Sequence, residues 1–314
     1  MKIIDLFAGI GGLRLGFERK RLDKCVFSSE WDTNSQKTYL TNFNQLPQGD
    51  ITQIDAHNIP SHDILLAGFP CQAFSVAGYR KGFEDTRGTL FFDIARILHY
   101  HRPNVFLLEN VKNLAGHNSG KTFSKMQNIL EDELGYCLHY QVLNTMTHAN
   151  IPQNRERIFI VGFNRDQIKN PTSFQFPKPI KLKTTIRDLI DTQKKPNKYY
   201  YHKTHKYYPL LKKAMNSWDT VYQWRRVYVR ENQSNVCPTL TANMGTGGHN
   251  VPIILDDYGI RKLTPRECAR FQGFPDSFKF PDLADSKLYY QIGNSVTVSL
   301  IRRIAENIRE IITN

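Results

Sequence analysis

Residues 2–12 read Lys2-Ile3-Ile4-Asp5-Leu6-Phe7-Ala8-Gly9-Ile10-Gly11-Gly12, an apolar run that passes straight into a glycine-rich turn. A short run of Ile, Leu and Phe without polar alternation suits a strand buried on both faces of a parallel sheet. The glycines that follow let the backbone turn sharply and approach a ligand, and the next helix adds positive potential at its N-terminus. Four more runs share this texture: CVFSSE from Cys25, DILLAGF from Asp63, VFLLENV from Val105 and RIFIVGF from Arg157. Between them, Leu13–Arg21, Thr33–Asn42, Phe91–Tyr100 and Thr122–Leu134 carry apolar residues at helical spacing. The alternation predicts an α/β fold with a doubly wound, mostly parallel sheet. Such sheets bind ligands in the crevice at the carboxyl ends of their strands, so the loops after these runs are where chemistry is expected.

The texture changes further on. The stretch KKPNKYYYHKTHKYYPLLKK from Lys194 is dense in Lys and Tyr, and the strand–helix rhythm fades. We expect a large lobe over 1–182, a smaller irregular or β-rich lobe over 183–258, and a segment over 259–314 that returns to the large lobe. Within that last segment, Thr264-Pro265-Arg266-Glu267 reads as a helix start, and Ser295–Ile312 as a helix with one apolar face.

With 314 residues, the chain is long enough to bury a core without staples. Five cysteines with no CxxC spacing disfavour a disulfide scaffold and a zinc site, and no metal is expected. No apolar run is long enough to span a bilayer, and the N-terminus lacks a basic leader, so a cytoplasmic protein is expected. Lys and Arg number 42 against 29 Asp and Glu, a net charge of +13 that favours a polyanion such as nucleic acid.

The loops give candidates. Phe7 and the turn Gly9, Gly11 and Gly12 follow the first run. Glu30 and Trp31 follow the second, where a carboxylate suits a ribose diol and an indole suits an adenine ring. Asp50, before Ile51, can accept from an exocyclic amine. A glycine turn alone is equally a tight strand–helix connection; the three elements in order point to an adenosine-type cofactor. The pattern is not GxGxxG, which argues against a dinucleotide. Cys71 lies in Gly68-Phe69-Pro70-Cys71-Gln72 directly after the third run, where a thiolate nucleophile would sit beside the crevice. Cys25 and Cys137 lie in apolar runs and read as inert. Glu109 closes the fourth run, half-desolvated and able to carry a proton, although a capping role fits the same position. Arg155 and Arg157 are two residues apart on an extended segment and point the same way, which suits a phosphate or a base oxygen; Glu156 between them equally suits a salt-bridged edge.

The ordered set DLFAGIGG, GFPCQAFS, ENV, QNRERI, RECARFQGFPDSF and QIGNSV resembles the DNA cytosine-5 methyltransferases, and GFEDTRGTLFFDIARIL from Gly82 is similar to their bacterial restriction–modification members. The resemblance covers about residues 1–165 and 259–314. It implies a specific activity: S-adenosylmethionine is consumed, S-adenosylhomocysteine is produced, and C5 of a cytosine flipped out of duplex DNA is methylated. It implies Cys71 as the nucleophile toward C6, Glu109 as the acid at N3 and the exocyclic amine, and Arg155 and Arg157 as contacts to the flipped base and its backbone. Phe7, Gly9, Gly11, Gly12, Glu30, Trp31, Asp50, Ile51, Pro70, Leu90, Asn294 and Val296 fall in the motifs that hold the cofactor.

The family places its target recognition in the divergent lobe. There Gln223, Arg225, Arg226, Arg230, Thr239, Asn243, Gly247 and Gly248, with Arg87 from the large lobe, are the expected DNA contacts. Each arginine serves equally as a guanine reader or a phosphate anchor. A short palindromic target rich in G and C, a monomer, no obligate protein partner and a separately encoded restriction endonuclease follow from family habit. A tRNA-directed relative is the nearest rival, but the recognition segment of ~90 residues favours DNA. A silent DNA-binding regulator would not need an intact nucleophile, acid and cofactor loop. A thiol hydrolase would need a His partner that no motif suggests.

Overall fold

The computed structural model describes residues 1–70, 90–225, 227–232, 235–245 and 250–313. The expected site residues Cys71, Arg87, Arg226, Gly247 and Gly248 lie outside the described residues. The chain divides into two compact units. The first comprises Met1–Leu143, Glu156–Pro177 and Ile301–Asn314, and the second Asn144–Arg155 and Lys178–Leu300.

The first unit is built on a six-stranded sheet among the described residues. Its strands are β1 (Lys2–Leu6), β2 (Lys24–Ser29), β3 (Ile64–Gly68), β4 (Val105–Val111), β5 (Tyr136–Asn144) and β7 (Glu156–Asn164), in the order β2-β1-β3-β4-β7-β5. β2, β1, β3 and β4 are parallel, and β7 runs antiparallel to β4. The apolar runs are there because both faces are covered. Ile3, Ile4 and Leu6 of β1, Ile64–Ala67 of β3 and Val105–Leu108 of β4 are all fully buried. Helix α1 (Gly12–Phe17) and α2 (Thr33–Phe43) follow β1 and β2, while α3 (Leu90–His101) and α4 (Lys121–Asn128) flank β4. α3 buries Phe91, Phe92, Ile94, Ala95, Ile97 and Leu98, the apolar stripe expected of a helix laid on a sheet.

Two helices are shorter than their apolar periodicity suggests. α1 stops at Phe17 because the Phe17 carbonyl accepts from Arg309 at 2.6 Å, and Glu18 turns to an extended backbone. α4 gives way at Ile129–Glu133 to a wider turn, closed by Leu134 N–H donating to the Ile129 carbonyl at 2.9 Å. The last helix, α9 (Val298–Thr313), begins three residues later than the apolar pattern, after the buried Val296 and Thr297.

The second unit holds a four-stranded antiparallel sheet, in the order β12-β11-β8-β9. Its strands are β8 (Tyr222–Arg225), β9 (Tyr228–Glu231), β11 (Pro252–Asp256) and β12 (Gly259–Lys262). A short parallel ladder joins β6 (Gln153–Asn154) to β10 (Cys237–Pro238). The expected boundary at 258/259 therefore falls in the turn between two paired strands, β11 and β12. Helix α5 (Thr145–His148) precedes β6, α6 (Tyr208–Ala214) precedes the sheet, and α7 (Pro265–Phe271) and α8 (Asp285–Gly293) follow it. α7 opens with the capping box read in the sequence: Thr264 takes the Glu267 N–H and Glu267 takes the Thr264 N–H. The same Glu267 carboxylate grips the fully buried Arg261 with two bonds of 2.8 Å, and Asp256 pairs with the other edge of that guanidinium. Among the described residues, no helix is long and apolar enough to cross a membrane.

Beneath the glycine turn lies a buried polar cluster. Asp5 of β1 is fully buried and accepts from the Tyr39 hydroxyl at 3.4 Å, while its Oδ1 has no partner among the described residues. Arg14 donates to Tyr39 and Gln45 and pairs with Glu18 at 2.6 Å. Burial pushes the Asp5 carboxyl up to about 8, against the pull of Arg14. The folded chain thus keeps a proton on Asp5 that the unfolded chain sheds near pH 4. The stability from this group is complete at low pH and is lost as pH rises toward 8. Asp5→Asn removes that dependence. In urea unfolding, the Asn variant is expected to gain on the parent between pH 5 and pH 8, by up to about 1.4 kcal/mol per pH unit. A constant difference across that range would show that Asp5 is already ionised in the folded state.

Candidate functional site

The first unit gathers carboxyl groups and an open turn at the carboxyl ends of its parallel strands. After β1 the chain takes left-handed conformations at Phe7 (φ 53), Gly9 (φ 54) and Gly11 (φ 82). At Gly11 the reason is packing: a Cβ would lie 2.2 Å from the Phe43 ring. At Gly9 a Cβ would meet nothing within 4 Å, so that face of the backbone is open to a ligand. Gly12 is buried as the first residue of α1.

Glu30, one residue past β2, turns back to this loop. Its Oε2 accepts from the Gly9 N–H at 2.7 Å and its Oε1 from the Asp32 N–H at 2.8 Å. Burial raises the Glu30 carboxyl above the usual range, and those N–H groups oppose the rise. Trp31, beside it, is 74% exposed, an unusual place for an indole. Asp50 is exposed and uses Oδ1 to cap the turn after it, accepting from Thr52 N–H at 3.0 Å, while Ile51 is buried. Arg96 of α3 fixes this turn by donating to the Ile51 carbonyl at 2.6 Å. Arg96 lies in the stretch from Gly82 that carries the family resemblance, but it is not among the expected site residues.

At the carboxyl end of β4, Glu109 forms an ion pair with Arg157 of β7 at 3.0 Å, both side chains largely buried. The antiparallel register that sets Val111 opposite Arg157 and Glu109 opposite Phe159 brings the two together diagonally. Gly68 lies against this carboxylate, its Cβ position 3.5 Å from Glu109 Oε2. Asn110 donates to the Phe69 carbonyl at 2.8 Å and so ties the loop that leads through the exposed Pro70 to Cys71. Asn110 was legible only as the neighbour of Glu109. Leu90 is half-buried at the start of α3. Cys25, Cys137, Cys237 and Cys268 are all buried, and burial pushes each thiol up, Cys25 to about 12. None of these four is a thiolate at neutral pH.

The second unit holds the remaining candidates. Arg155 does not present its charge to solvent. It is 2% exposed and donates to the carbonyls of Leu240 (2.8 Å), Gly293 (3.2 Å) and Ser295 (2.6 Å). One guanidinium thus fixes the Thr239–Leu240 segment to the end of α8 and to the stretch carrying Asn294. Asn294 is exposed and Val296 buried. Gln153 supports the same junction, accepting from Leu240 N–H and donating to the Phe271 carbonyl. The Thr239 hydroxyl donates to the Asn154 carbonyl at 2.7 Å. Gln223, Arg225, Arg230 and Thr239 line one polar cavity of about 450 Å³ with Asn154, Asn232, Thr241 and Asn250. Asn243 reaches this wall through Asn250, 3.5 Å away.

Gly293 is a packing requirement of this junction: a Cβ there would lie 2.2 Å from the Thr241 carbonyl carbon and 2.4 Å from the Ala242 nitrogen. Backbone cannot yield as a side-chain tip does. Gly293→Ala is expected to cost about 1–3 kcal/mol in urea unfolding. A midpoint equal to the parent's would mean the α8 end shifts freely.

Residues 1–310 match the family described as C-5 cytosine-specific DNA methylase. It is 53% identical over 312 residues to the type II methyltransferase M.Bsp6I of Bacillus sp. (strain RFL6), covering 98% of each chain. It is 42% identical over 321 residues to the type II methyltransferase M.HhaI of Haemophilus parahaemolyticus, covering 98% of this chain and 94% of that one. Among solved structures, the S. pombe Dnmt2 methyltransferase shares the fold with a TM-score of 0.74 at 20% identity, covering 99% of both chains. Motifs, sheet order and kinship agree: the chain belongs to the C-5 cytosine-specific DNA methylases and is a DNA (cytosine-5-)-methyltransferase.

Proposed function

We propose that the protein methylates C5 of a cytosine flipped out of a short duplex site, through a covalent bond from Cys71 to C6. The observation that carries this reading is the Glu109–Arg157 pair at the carboxyl end of β4, beside the loop that leads to Cys71. Glu109 holds a proton at cytosine N3 while the Cys71 thiolate adds to C6, so the ring becomes an enamine and C5 gains electron density. Arg157 orients Glu109 and offsets its charge before that proton is shared. After C5 is alkylated, a base removes the C5 proton, the C5–C6 double bond re-forms and the thiolate leaves. Arg155 fixes the Leu240 and Ser295 backbones within the second unit. The flipped base costs a few kcal/mol of unstacking and unpairing, which contacts in the pocket offset.

The residues present fit S-adenosylmethionine. Glu30 offers buried acceptor lone pairs for a ribose diol, Trp31 an exposed flat ring for adenine, and Asp50 an exposed carboxylate for the exocyclic amine. Gly9 leaves the backbone open at the Glu30 carboxylate, with Phe7, Pro70 and Leu90 as further contacts. When bound, the cofactor supplies an electrophilic methyl group and leaves as S-adenosylhomocysteine. The basic excess of the chain and the polar cavity around Gln223, Arg225 and Arg230 support duplex DNA as the substrate held in the second unit. The type II names of the relatives support a protective role beside a separately encoded restriction endonuclease. We propose a cytoplasmic monomer that visits each strand of a symmetric site in turn.

Bisulfite sequencing of plasmid DNA from a host expressing the chain is expected to show protected cytosines at one recurring motif. Cys71→Ser is expected to abolish that protection; protection that survives in the variant would exclude the covalent route, and none in either sample would move the substrate to RNA. Glu30→Ala is expected to weaken S-adenosylhomocysteine binding about 10- to 100-fold in calorimetry, the worth of hydrogen bonds to a charged group. Unchanged affinity would remove Glu30 from the cofactor site.

A further inference from the structure

We propose that Asn250 is a positioning residue for target reading: it holds the Arg225 guanidinium in the orientation that selects a guanine. The inference rests on the reading of this cavity as the DNA-facing surface, and deepens it.

β8 presents its residues alternately to two environments. Tyr222 and Trp224 are buried in an apolar cluster with Leu211, Met215, Val251 and Ile253. Gln223 and Arg225 point to the opposite face, where the antiparallel register sets Arg230 of β9 across from Gln223. That face lines the polar cavity. Arg225 Nη1 donates to Asn250 Oδ1 at 2.6 Å. Among the described residues neither Arg225 nor Arg230 forms a salt bridge. An amide oxygen fixes a guanidinium without cancelling its charge. A carboxylate in that place would also orient it, but would offset the positive charge that meets the DNA.

Asn250 is itself held on several sides. Its backbone takes a left-handed conformation, φ 81, which Asn tolerates better than most side chains. Its N–H donates to the Trp224 carbonyl at 3.3 Å, directly before Arg225. Its Nδ2 reaches Asn243 Oδ1 at 3.5 Å, which also accepts from the Thr241 hydroxyl at 2.7 Å. The relay Thr241–Asn243–Asn250–Arg225 leaves the guanidinium few orientations. A bidentate reader depends on such fixing, because a free Arg side chain settles equally well on a phosphate.

The test compares Asn250→Gly, Asn250→Asp, Arg225→Ala and the double variant N250G/R225A in the full chain. Glycine removes the amide while keeping the left-handed backbone unstrained. Each variant methylates a duplex library randomised around the target, read by bisulfite sequencing, with kcat and KM measured on the parent site and on single-base changes. Arg225→Ala is expected to relax the preference at one base pair by about 5- to 100-fold. Asn250→Gly is expected to relax the same base pair by a similar factor, seen as a smaller ratio of kcat/KM between the parent site and its single-base changes. The double variant is expected to match Arg225→Ala, and Asn250→Asp to keep the preference with weaker DNA binding. If Arg225→Ala leaves the profile unchanged, the cavity is not the reading face and both readings fall. If Arg225→Ala relaxes a position that Asn250→Gly leaves sharp, or Asn250→Gly lowers all sites equally, the positioning role alone is overturned. Thermal melting and S-adenosylhomocysteine binding check folding. Should the glycine variant melt early, Asn250→Asp decides: loss of the preference with the acceptor retained would overturn the role.

Discussion

Parallel pairing of β2, β1, β3 and β4 is the constraint on which the first unit depends. Hydrogen-bond register aligns Leu6 with Ser29 and Ala67, and Gly68 with Glu109. Because the strands run the same way, all four end at one edge, where the glycine turn, Glu30, the Phe69–Pro70 segment and Glu109 lie. The order reverses between β1 and β3, since the chain leaves β1 for β2 on one side and returns to β3 on the other. That reversal opens the crevice into which the glycine turn and the Phe69–Pro70 loop both lead. Antiparallel β7 adds what a parallel neighbour could not: it brings Arg157 back past the end of β4, to Glu109.

Buried charge organises both units, and each instance is locally paired. Arg155 is held by carbonyls at both terminal nitrogens, Arg261 by Asp256 and Glu267, and Arg309 by Asp23 and the Phe17 carbonyl. A guanidinium cannot shed its proton, so burying one obliges the fold to supply acceptors in fixed places. Such residues lock junctions between distant segments more firmly than apolar contacts, which slide. Asp5 is the contrasting case: with one oxygen unpartnered, it is accommodated by keeping its proton.

The candidate residues of the first unit were legible because their signals are local. Glu30, Trp31, Glu109 and the glycine turn each sit within a few residues of an apolar run, and a strand end is a short-range feature. The capping box of α7 spans four consecutive residues. Arg155 and Arg157 were legible as a pair but not in their partners, since the pattern fixes only that both point the same way. Their acceptors lie far along the chain, Arg155's at Leu240, Gly293 and Ser295.

The sequence by itself determined the strand and helix alternation, the loops that offer the candidate residues and the family to which the chain belongs, because periodicity and ordered motifs are written in neighbouring residues. The tertiary structure decided which charges are buried. It also decided where α1 ends, that β12 completes the sheet of β8, β9 and β11, and that Asn250 faces Arg225. Those outcomes follow from sheet register and from hydrogen-bond partners brought together across long loops, and residue order alone does not fix either.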